Sequence, residues 1–577
     1  MLKELEKPAE KVTNILLDPN RYNPDHLDAR SREIMQKTIA FFEQKGKTKL
    51  KEDDRHYVWY TDFLDFIRDN EVFADLLTPP DYGGEYSRWD TRRNCDFSEI
   101  TGFYGLHYWY TWQVTILGLG PIWMGQNEPV KQNTAKMMRN GDVFAFGLSE
   151  REHGADIYST DLILTPQEDG TYLASGEKYY IGNANVAGYV SVFGRFADTN
   201  EYVFFVAKSD HENYNLIRNV VNVQSYVAQF ELKDYPVREE DILARGQDAW
   251  NLALNTINVG KYNLGWASIG ICTHSLYEAI NHAGNRRLYK MYVTDFPHVQ
   301  QMFVDAYCRL TAMKLFALRA SDYMRTASDE DRRYLLYNPI VKMKVTTEGE
   351  KVIDLLWNVI AAKGFESDMY FEMATRDIRA LPKLEGTVHV NIALIVKFMQ
   401  NYFFSPEAHP DIAQQNDPTH DTYLFNQAPT RGLGQIRFHD YGLVFAGNQL
   451  PNVQLFRKQI DAFKLFLVKA TPSEVQQKDV DYLLALGEIF TLVVYAQLIL
   501  ENADIYNMDD ELIDQMFDVF VRDFSAYALQ LHSKPSNSET QMEACLKMIA
   551  RPEPNPERYQ AIWQRVHSLK DQYEMPK

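Results

Sequence analysis

VFAFGLS (143–149), STDLILTP (159–166), TYLASGEKYYI (171–181), YVSVFGRF (189–196), YVFFVAK (202–208) and SYVAQFEL (225–232) stand close together in the chain. Each is short, rich in β-branched and aromatic residues, and bounded by turn residues, the pattern of a strand. Gln167-Glu168-Asp169-Gly170 supplies a hairpin turn of the Asp-Gly type. So many strands in so short a stretch predict a small antiparallel β-barrel or sandwich over residues 143–240.

The texture on either side is different. Arg32–Gln44 (REIMQKTIAFFEQ) and Tyr57–Asp69 (YVWYTDFLDFIRD) carry apolar residues at three- and four-residue spacing, so residues 1–142 read as an N-terminal helical domain. Beyond the strands the helical period returns in Asn251–Ala283, Val299–Arg325 and Val341–Ala362, with Gly364 as a stop signal. Residues 403–440, with Pro406, Pro410, Pro418 and Pro429, read as a long connector closing a helical bundle over 241–440. Residues 441–577 are helical again, with Val480–Asn502 and Glu511–Leu531 strongly apolar on one face. The fold class is therefore multidomain α+β: a helical domain, a β-barrel, a helical bundle and an additional C-terminal helical domain.

Composition narrows the function. Hydrophobic residues make up 45% and charged residues 24% of the 577, which is globular usage. Lys+Arg is 60 and Asp+Glu is 79, a net charge of −19 that repels nucleic-acid phosphates and anionic lipid heads. Cys95, Cys272, Cys308 and Cys545 show neither paired nor zinc-type spacing, so no metal site is expected and four reduced, buried thiols are. MLKELEKPAEKVTNILL lacks the apolar core of a signal peptide. The longest apolar run, Ile489–Leu500, has 12 residues against the roughly 20 of a spanning helix, so a buried core helix is expected there. The expected location is cytoplasmic.

Three segments offer chemistry. Phe146–Asp156, FGLSEREHGAD, closes a β run and enters a loop containing Gly154. Backbone N–H groups at such a strand end suit a flat or phosphorylated ligand, and the same loop also reads as an ordinary polar strand end. In Gly176–Asn183, GEKYYIGN, Tyr180 either stacks on a ligand ring or packs within its strand. In Arg376–Thr387, RDIRALPKLEGT, Pro382 breaks a helical segment and Glu385-Gly386-Thr387 opens the next apolar helix, Val388–Gln400. The Glu385 carboxylate either stabilises that helix start or, enclosed by apolar groups, serves as a general base with its pKa raised toward neutrality. His298 and His389 read as packing histidines, Met302, Met313 and Met343 as core, and Met508–Asp514 as a solvated helix start.

Six segments stand in one order: LTPPDYGG (77–84), FGLSE (146–150) with Gly154 and Asp156, GEKYYIGN (176–183), INVGK (257–261), NRRLY (285–289) followed by DFP (295–297), and LEGT (384–387). Together they resemble the motifs of the acyl-CoA dehydrogenase family from about residue 60 to 400. The resemblance implies FAD as cofactor and α,β-dehydrogenation of an acyl-CoA thioester, with Glu385 as the base. It implies cofactor contacts from Phe146, Leu148, Ser149, Gly154, Ala155, Tyr180, Gly182, Arg286, Tyr289 and Thr387. Lys261, Leu384 and Gly386 fall on the substrate side. Arg286 would complete a neighbour's FAD site, which implies a homodimer, with an electron-transfer flavoprotein as electron acceptor. Two alternatives share the fold: an oxidase passing electrons to O₂, and a non-catalytic nucleic-acid-binding member, which the −19 charge opposes. Ala155, Gly182 and Lys261 depart from the family pattern, as do Ala361 and Ala362, which stand where glycines are usual. The longer members of the family carry an extra helical domain, so residues 441–577 are expected to form an integral fourth domain that limits assembly to the dimer.

Overall fold

The computed structural model describes residues 11–427 and 432–577; Pro429 and the first ten residues of the N-terminal stretch lie outside them. The N-terminal helices are α1 (Ala29–Arg55), capped by the Asp28 side chain, and the buried α2 (Thr91–Tyr104) and α3 (Leu106–Met124). α3 is apolar almost all round and buried on all sides, which is how a helix without a polar face is stabilised.

The strands follow as β1 (Phe144–Gly147), β2 (Ile163–Pro166), β3 (Tyr172–Gly182), β4 (Tyr189–Phe196), β5 (Tyr202–Ala207), β6 (Tyr214–Asn219), β7 (Val227–Val237) and β8 (Ile242–Arg245). Their order is β6-β7-β3-β2-β4-β5-β8, with β1 joined to β4. This corrects the expected barrel in two ways. The sheet is open, because β6 and β8 end the order at opposite edges instead of pairing with each other. It is also mixed, because β1 and β2 both run parallel to β4, at Tyr189–Val192 and at Arg195–Phe196. Alternation along a strand reports which side chains are buried, not which strand lies beside it. Since β1 and β2 occupy successive stretches of β4, the chain leaves the sheet between them, and FGLSEREHGAD ends β1 at Phe146-Gly147 and continues into this loop.

After the sheet come α4 (Gly246–Gly260) and α5 (Tyr262–Asn285), which meet at Lys261 instead of forming the single run expected over Asn251–Ala283. α6 (Pro297–Arg325) follows. The expected helix Val341–Ala362 is divided: Val341–Val345 is a π turn, Thr346–Ile360 (α7) is α-helical, and Ala361–Phe365 is a 3₁₀ turn. The short α8 (Val388–Ile395) gives way to a 3₁₀ turn before Gln400. His298 and His389 are exposed, not packed, while Met313 and Met343 are core and Met302 is half-buried. All four cysteines are free and buried.

The C-terminal domain contains α9 (Pro451–Lys469), α10 (Val480–Ile505) and α11 (Asp510–His532). The best window of α10 has a mean hydropathy of 2.1 and is 83% buried. By length and composition it qualifies to cross a membrane, but here it packs against α6, α8 and α11. A Cβ on Gly487 would stand 2.3 Å from Ile392 Cγ2, so only glycine lets α10 approach α8 this closely. Polar ties fix the seam with α6: Arg319 Nε donates to Glu501 Oε2 at 2.9 Å and Asn502 Nδ2 to the Leu315 carbonyl at 2.8 Å. Asp514, at the supposedly solvated start of α11, is buried against Arg558. The domain shares one core with the other helical parts, while the sheet has a second core of its own, and Leu498 on α10 is wholly buried. Leu498→Ala is expected to lower the unfolding free energy by about 2–5 kcal/mol, as for any well-packed core leucine. Chemical denaturation followed by far-UV circular dichroism measures it, with a single transition expected.

Candidate active site

Glu385 sits in a turn that two features impose. Its own φ is 52° and that of Gly386 is 87°, so two consecutive residues are left-handed. Glycine takes this conformation freely, whereas a residue with a Cβ is held in it at a cost of about 1–2 kcal/mol. Lys342, wholly buried on the π turn, holds the turn closed. Its Nζ donates to the Pro382 carbonyl at 2.7 Å and also to the Gly386 carbonyl. Asn391 Nδ2 adds a second donor to Gly386 O at 3.2 Å. The following helix is capped by Thr387, whose side chain accepts from Val390 N. Thr387 therefore does the work that Glu385 would do at a plain helix start, and the carboxylate is free to face inward.

Gln113 on α3 meets it there. Its Nε2 donates to Glu385 Oε1 at 2.6 Å and to the Gly260 carbonyl at 3.0 Å. Glu385 Oε2 and Gln113 Oε1 are buried and have no partner. A Cβ on Gly260 would lie 3.2 Å from Glu385 Oε2, so residue 260 leaves that oxygen its space by having no side chain. Burial pushes the Glu385 carboxyl up to about 7, against the Gln113 hydrogen bond and the charges of Lys342 and Lys261, which favour the anion. Lys342 is pulled down to about 7 by burial, with Glu385 opposing and Lys261 and Lys383 reinforcing that fall. Burial lowers Lys261 to about 8, again with Glu385 opposing. Three groups thus exchange protons over one narrow range and titrate as a cluster.

The sheet approaches this cluster through Tyr110 of α3. The β3–β7 register slips between Tyr179 and Ile181, leaving Tyr180 on a bulge with φ 67° and its ring 45% exposed. A strained, bulged aromatic residue presents its ring instead of packing it. Gly182, two residues on, is buried under α3: Tyr110 Oη and Cε1 lie 2.9 and 2.8 Å from where a Cβ on residue 182 would stand. The Tyr110 ring thus takes the space of the missing side chain, and it also feels the charge of Glu385, which helps burial raise its phenol pKa. The Ser149 carbonyl accepts from Tyr179 N at 3.0 Å, tying the first loop to β3. Lys178 Nζ, buried behind it, donates to Glu150 Oε1 at 2.6 Å and to the Leu148 carbonyl at 3.1 Å. Glu150, His153 and Asp161 cluster closely, but Glu150 is already committed to Lys178, Thr160 and the backbone of Asp161.

The structure brings Glu385, Gly386, Leu384 and Lys261 together, and Leu148, Ser149, Tyr180 and Gly182 together at the end of β3, with Tyr110 near both groups. Phe146 on β1, just before Leu148, is half-buried with its ring stacked on Phe204 at 5.9 Å. Gly154 and Ala155 are on the exposed loop. Arg286 and Tyr289 stand on a separate surface hairpin (Arg287–Leu288 with Met291–Tyr292), where Tyr289 is 90% exposed. Ala361 keeps φ 59°, the conformation of the glycine usual at its position, at the cost that a Cβ brings. Gln113, Lys342 and Tyr110 were not among the expected site residues. Two had a signal: Gln113 interrupts an otherwise apolar run, WQVTILGLG, and Lys342 with Lys344 places two charges, two residues apart, in a helix expected to bury a face. Tyr110 had none, since its role exists only opposite Gly182.

Comparison with known proteins agrees with this architecture. Residues 248–400 match the family model of the acyl-CoA dehydrogenase C-terminal domain. The 3-(aryl)acrylate reductase of Clostridium sporogenes is 22% identical over 334 residues, 56% of this chain and 86% of that protein. The caffeyl-CoA reductase-Etf complex subunit CarC of Acetobacterium woodii is 21% identical over 332 residues, again 56% and 86%. Among solved structures, an acyl-CoA dehydrogenase complexed with FAD from Bacillus anthracis superimposes with a TM-score of 0.71 at 16% identity. That superposition covers 96% of this chain and 97% of the other, so the C-terminal domain has a counterpart there. The chain has the acyl-CoA dehydrogenase fold over nearly its whole length, and its residues 248–400 match the model of the acyl-CoA dehydrogenase C-terminal domain.

Proposed function

We propose that the protein is an FAD-dependent acyl-CoA dehydrogenase in which Glu385 removes the α-proton of the thioester. The observation that carries this reading is the buried, unpartnered Oε2 of a carboxyl whose pKa is lifted to about 7. A group of that kind is poised to accept a proton near neutrality. Gln113 holds the other oxygen, so Oε2 is the one presented. Closing Glu385 in the left-handed turn fixes the direction of proton transfer before substrate arrives. The turn's backbone N–H at residue 385 is the proposed donor to the thioester carbonyl.

The residues fit a flavin. Tyr180 is exposed on a bulge, the first loop leaves the sheet beside it, and Tyr110 lies against Gly182 and close enough to feel the Glu385 charge. Gly182 and Ala155 supply no hydroxyl, and the Tyr110 phenol beside Gly182 offers one in place of a residue-182 side chain. When bound, FAD supplies the acceptor for the hydride that leaves the β-carbon. Leu148, Ser149, Tyr180 and Gly182 would hold its ring end. Arg286 and Tyr289, on their exposed hairpin, are proposed to reach the FAD of a second copy, so the working unit is a homodimer in a reducing, cytoplasmic setting. An electron-transfer flavoprotein is the proposed acceptor, on the strength of the relative named as part of an Etf complex.

Glu385→Gln is expected to keep fold and flavin absorbance yet lose turnover by about 10²–10⁴-fold, because an amide cannot take the proton. Turnover near that of the unaltered protein would reject Glu385 as base. The base works ionised, so kcat/KM is expected to rise tenfold per pH unit below about pH 7 and level off above it. Gln113→Leu removes the hydrogen bond that favours the anion, and the midpoint of that rise is expected to move to higher pH. Arg286→Glu is expected to release FAD and shift the protein toward monomer together, read by absorbance and light scattering on one sample. Loss of neither would reject the shared site.

A further inference from the structure

We infer that the C-terminal helical domain positions the catalytic base, through the π turn that carries Lys342; the inference rests on Glu385 being that base. Residues two apart on a helix lie on nearly opposite faces. Lys342 reaches from one face of Val341–Val345 to the Glu385 turn, and Lys344 reaches from the other face to α11. Lys344 is 99% buried, and its Nζ donates to Glu348 Oε1 at 2.8 Å and to Tyr527 Oη at 3.2 Å. Lys351 Nζ donates to the same Glu348 oxygen at 2.9 Å, to Tyr527 Oη at 3.3 Å and to Asp523 Oδ2 at 3.4 Å. Arg309 on α6 closes the cluster, gripping Asp523 with two bonds of 2.7 and 2.8 Å and Glu348 Oε2 at 2.5 Å.

Asp523 and Tyr527 belong to α11 of the C-terminal domain, and Lys344, Glu348 and Lys351 to the helix that begins as the π turn. Burial alone would raise the Glu348 carboxyl, yet Arg309, Lys344 and Lys351 hold it well below the usual range, so the cluster is charged and mutually dependent. Removing one member of a buried charge cluster leaves another uncompensated, so the cluster strongly prefers one arrangement. The π turn is thereby pinned from the side opposite the site, and its pinned position is what lets Lys342 span both Pro382 and Gly386. Asp523 and Tyr527 are positioning residues: they touch neither substrate nor cofactor and act through Lys344 and Lys342. The groups that face Glu385 itself are Gln113 and Tyr110 from α3, Lys261 between α4 and α5, and Lys342.

Tyr527→Phe and Lys344→Met in the full-length, FAD-loaded protein test this. Both keep bulk and remove a link, and the readout is the acid limb of the pH profile of kcat/KM. If Lys342 loosens, Glu385 loses a cation that favours its ionised form. The limb is expected to move up by about 0.4–1.5 pH units, with kcat lowered and KM little changed. Arg522→Gln provides the comparison, since it breaks the Arg522–Asp305 pair (2.7 and 3.0 Å) between the same helix α11 and α6 without touching Lys344. It is expected to lower Tm and leave the limb in place. If Tyr527→Phe and Lys344→Met likewise lower Tm and leave the limb unmoved, while Glu385→Gln abolishes turnover, the coupling is overturned and the base stands. If Glu385→Gln retains turnover, the base assignment is overturned and this inference with it.

Discussion

A single buried ammonium, Lys342 Nζ, joins the Pro382 and Gly386 carbonyls and so closes the turn on which Glu385 stands. Without a donor in that place two carbonyls of an otherwise enclosed turn would lose a hydrogen bond, and the left-handed pair at 385 and 386 would lose its clamp. Everything else at the site is arranged around this constraint. Thr387 caps the next helix, so the carboxylate need not; Gln113 takes one oxygen; Gly260 clears space for the other.

The electrostatics follow from the same enclosure. A buried carboxyl resists ionisation and a buried lysine resists protonation, so burial moves Glu385 up and Lys342 and Lys261 down until they meet near neutrality. The Glu385 anion favours both lysine cations and they favour it, while the two lysines oppose each other. An acid–base group able to change state at neutral pH is what a proton-abstracting site needs. The cluster reaches this state through enclosure rather than through any one strong partner.

The departures from the family pattern are compensated locally. Tyr110 fills the space left beside Gly182, and Ala361 adopts the backbone conformation of a glycine while carrying a methyl group. The C-terminal domain is not an appendage. Its most apolar helix lies between α6, α8 and α11, and its charged residues interlock with the helix that carries Lys342.

Much was legible in the amino-acid order because it depends on neighbours along the chain. Short β-rich runs, amphipathic periods, the Asp-Gly turn and the Pro-broken segment before Glu385 are local, and each appears as an element of the structure or at its edge. The LEGT segment marked the turn that holds the buried carboxyl of Glu385, and GEKYYIGN marked the strand with the bulged tyrosine. Partners remote in the chain were not legible. The sheet stays open because β6 and β8 lie at its opposite edges, and strand order is set by long-range pairing that alternation does not encode. The π turn interrupts an expected regular helix, and from it Lys342 reaches the Pro382 carbonyl and Lys344 the Tyr527 hydroxyl, both remote in the chain. Nor was it legible that the Phe146 ring would stack on Phe204, remote in the chain. The chain by itself determined which residues could do chemistry, and tertiary packing decided which of them face one another, because burial, charge and hydrogen-bond partners arise only when distant segments meet.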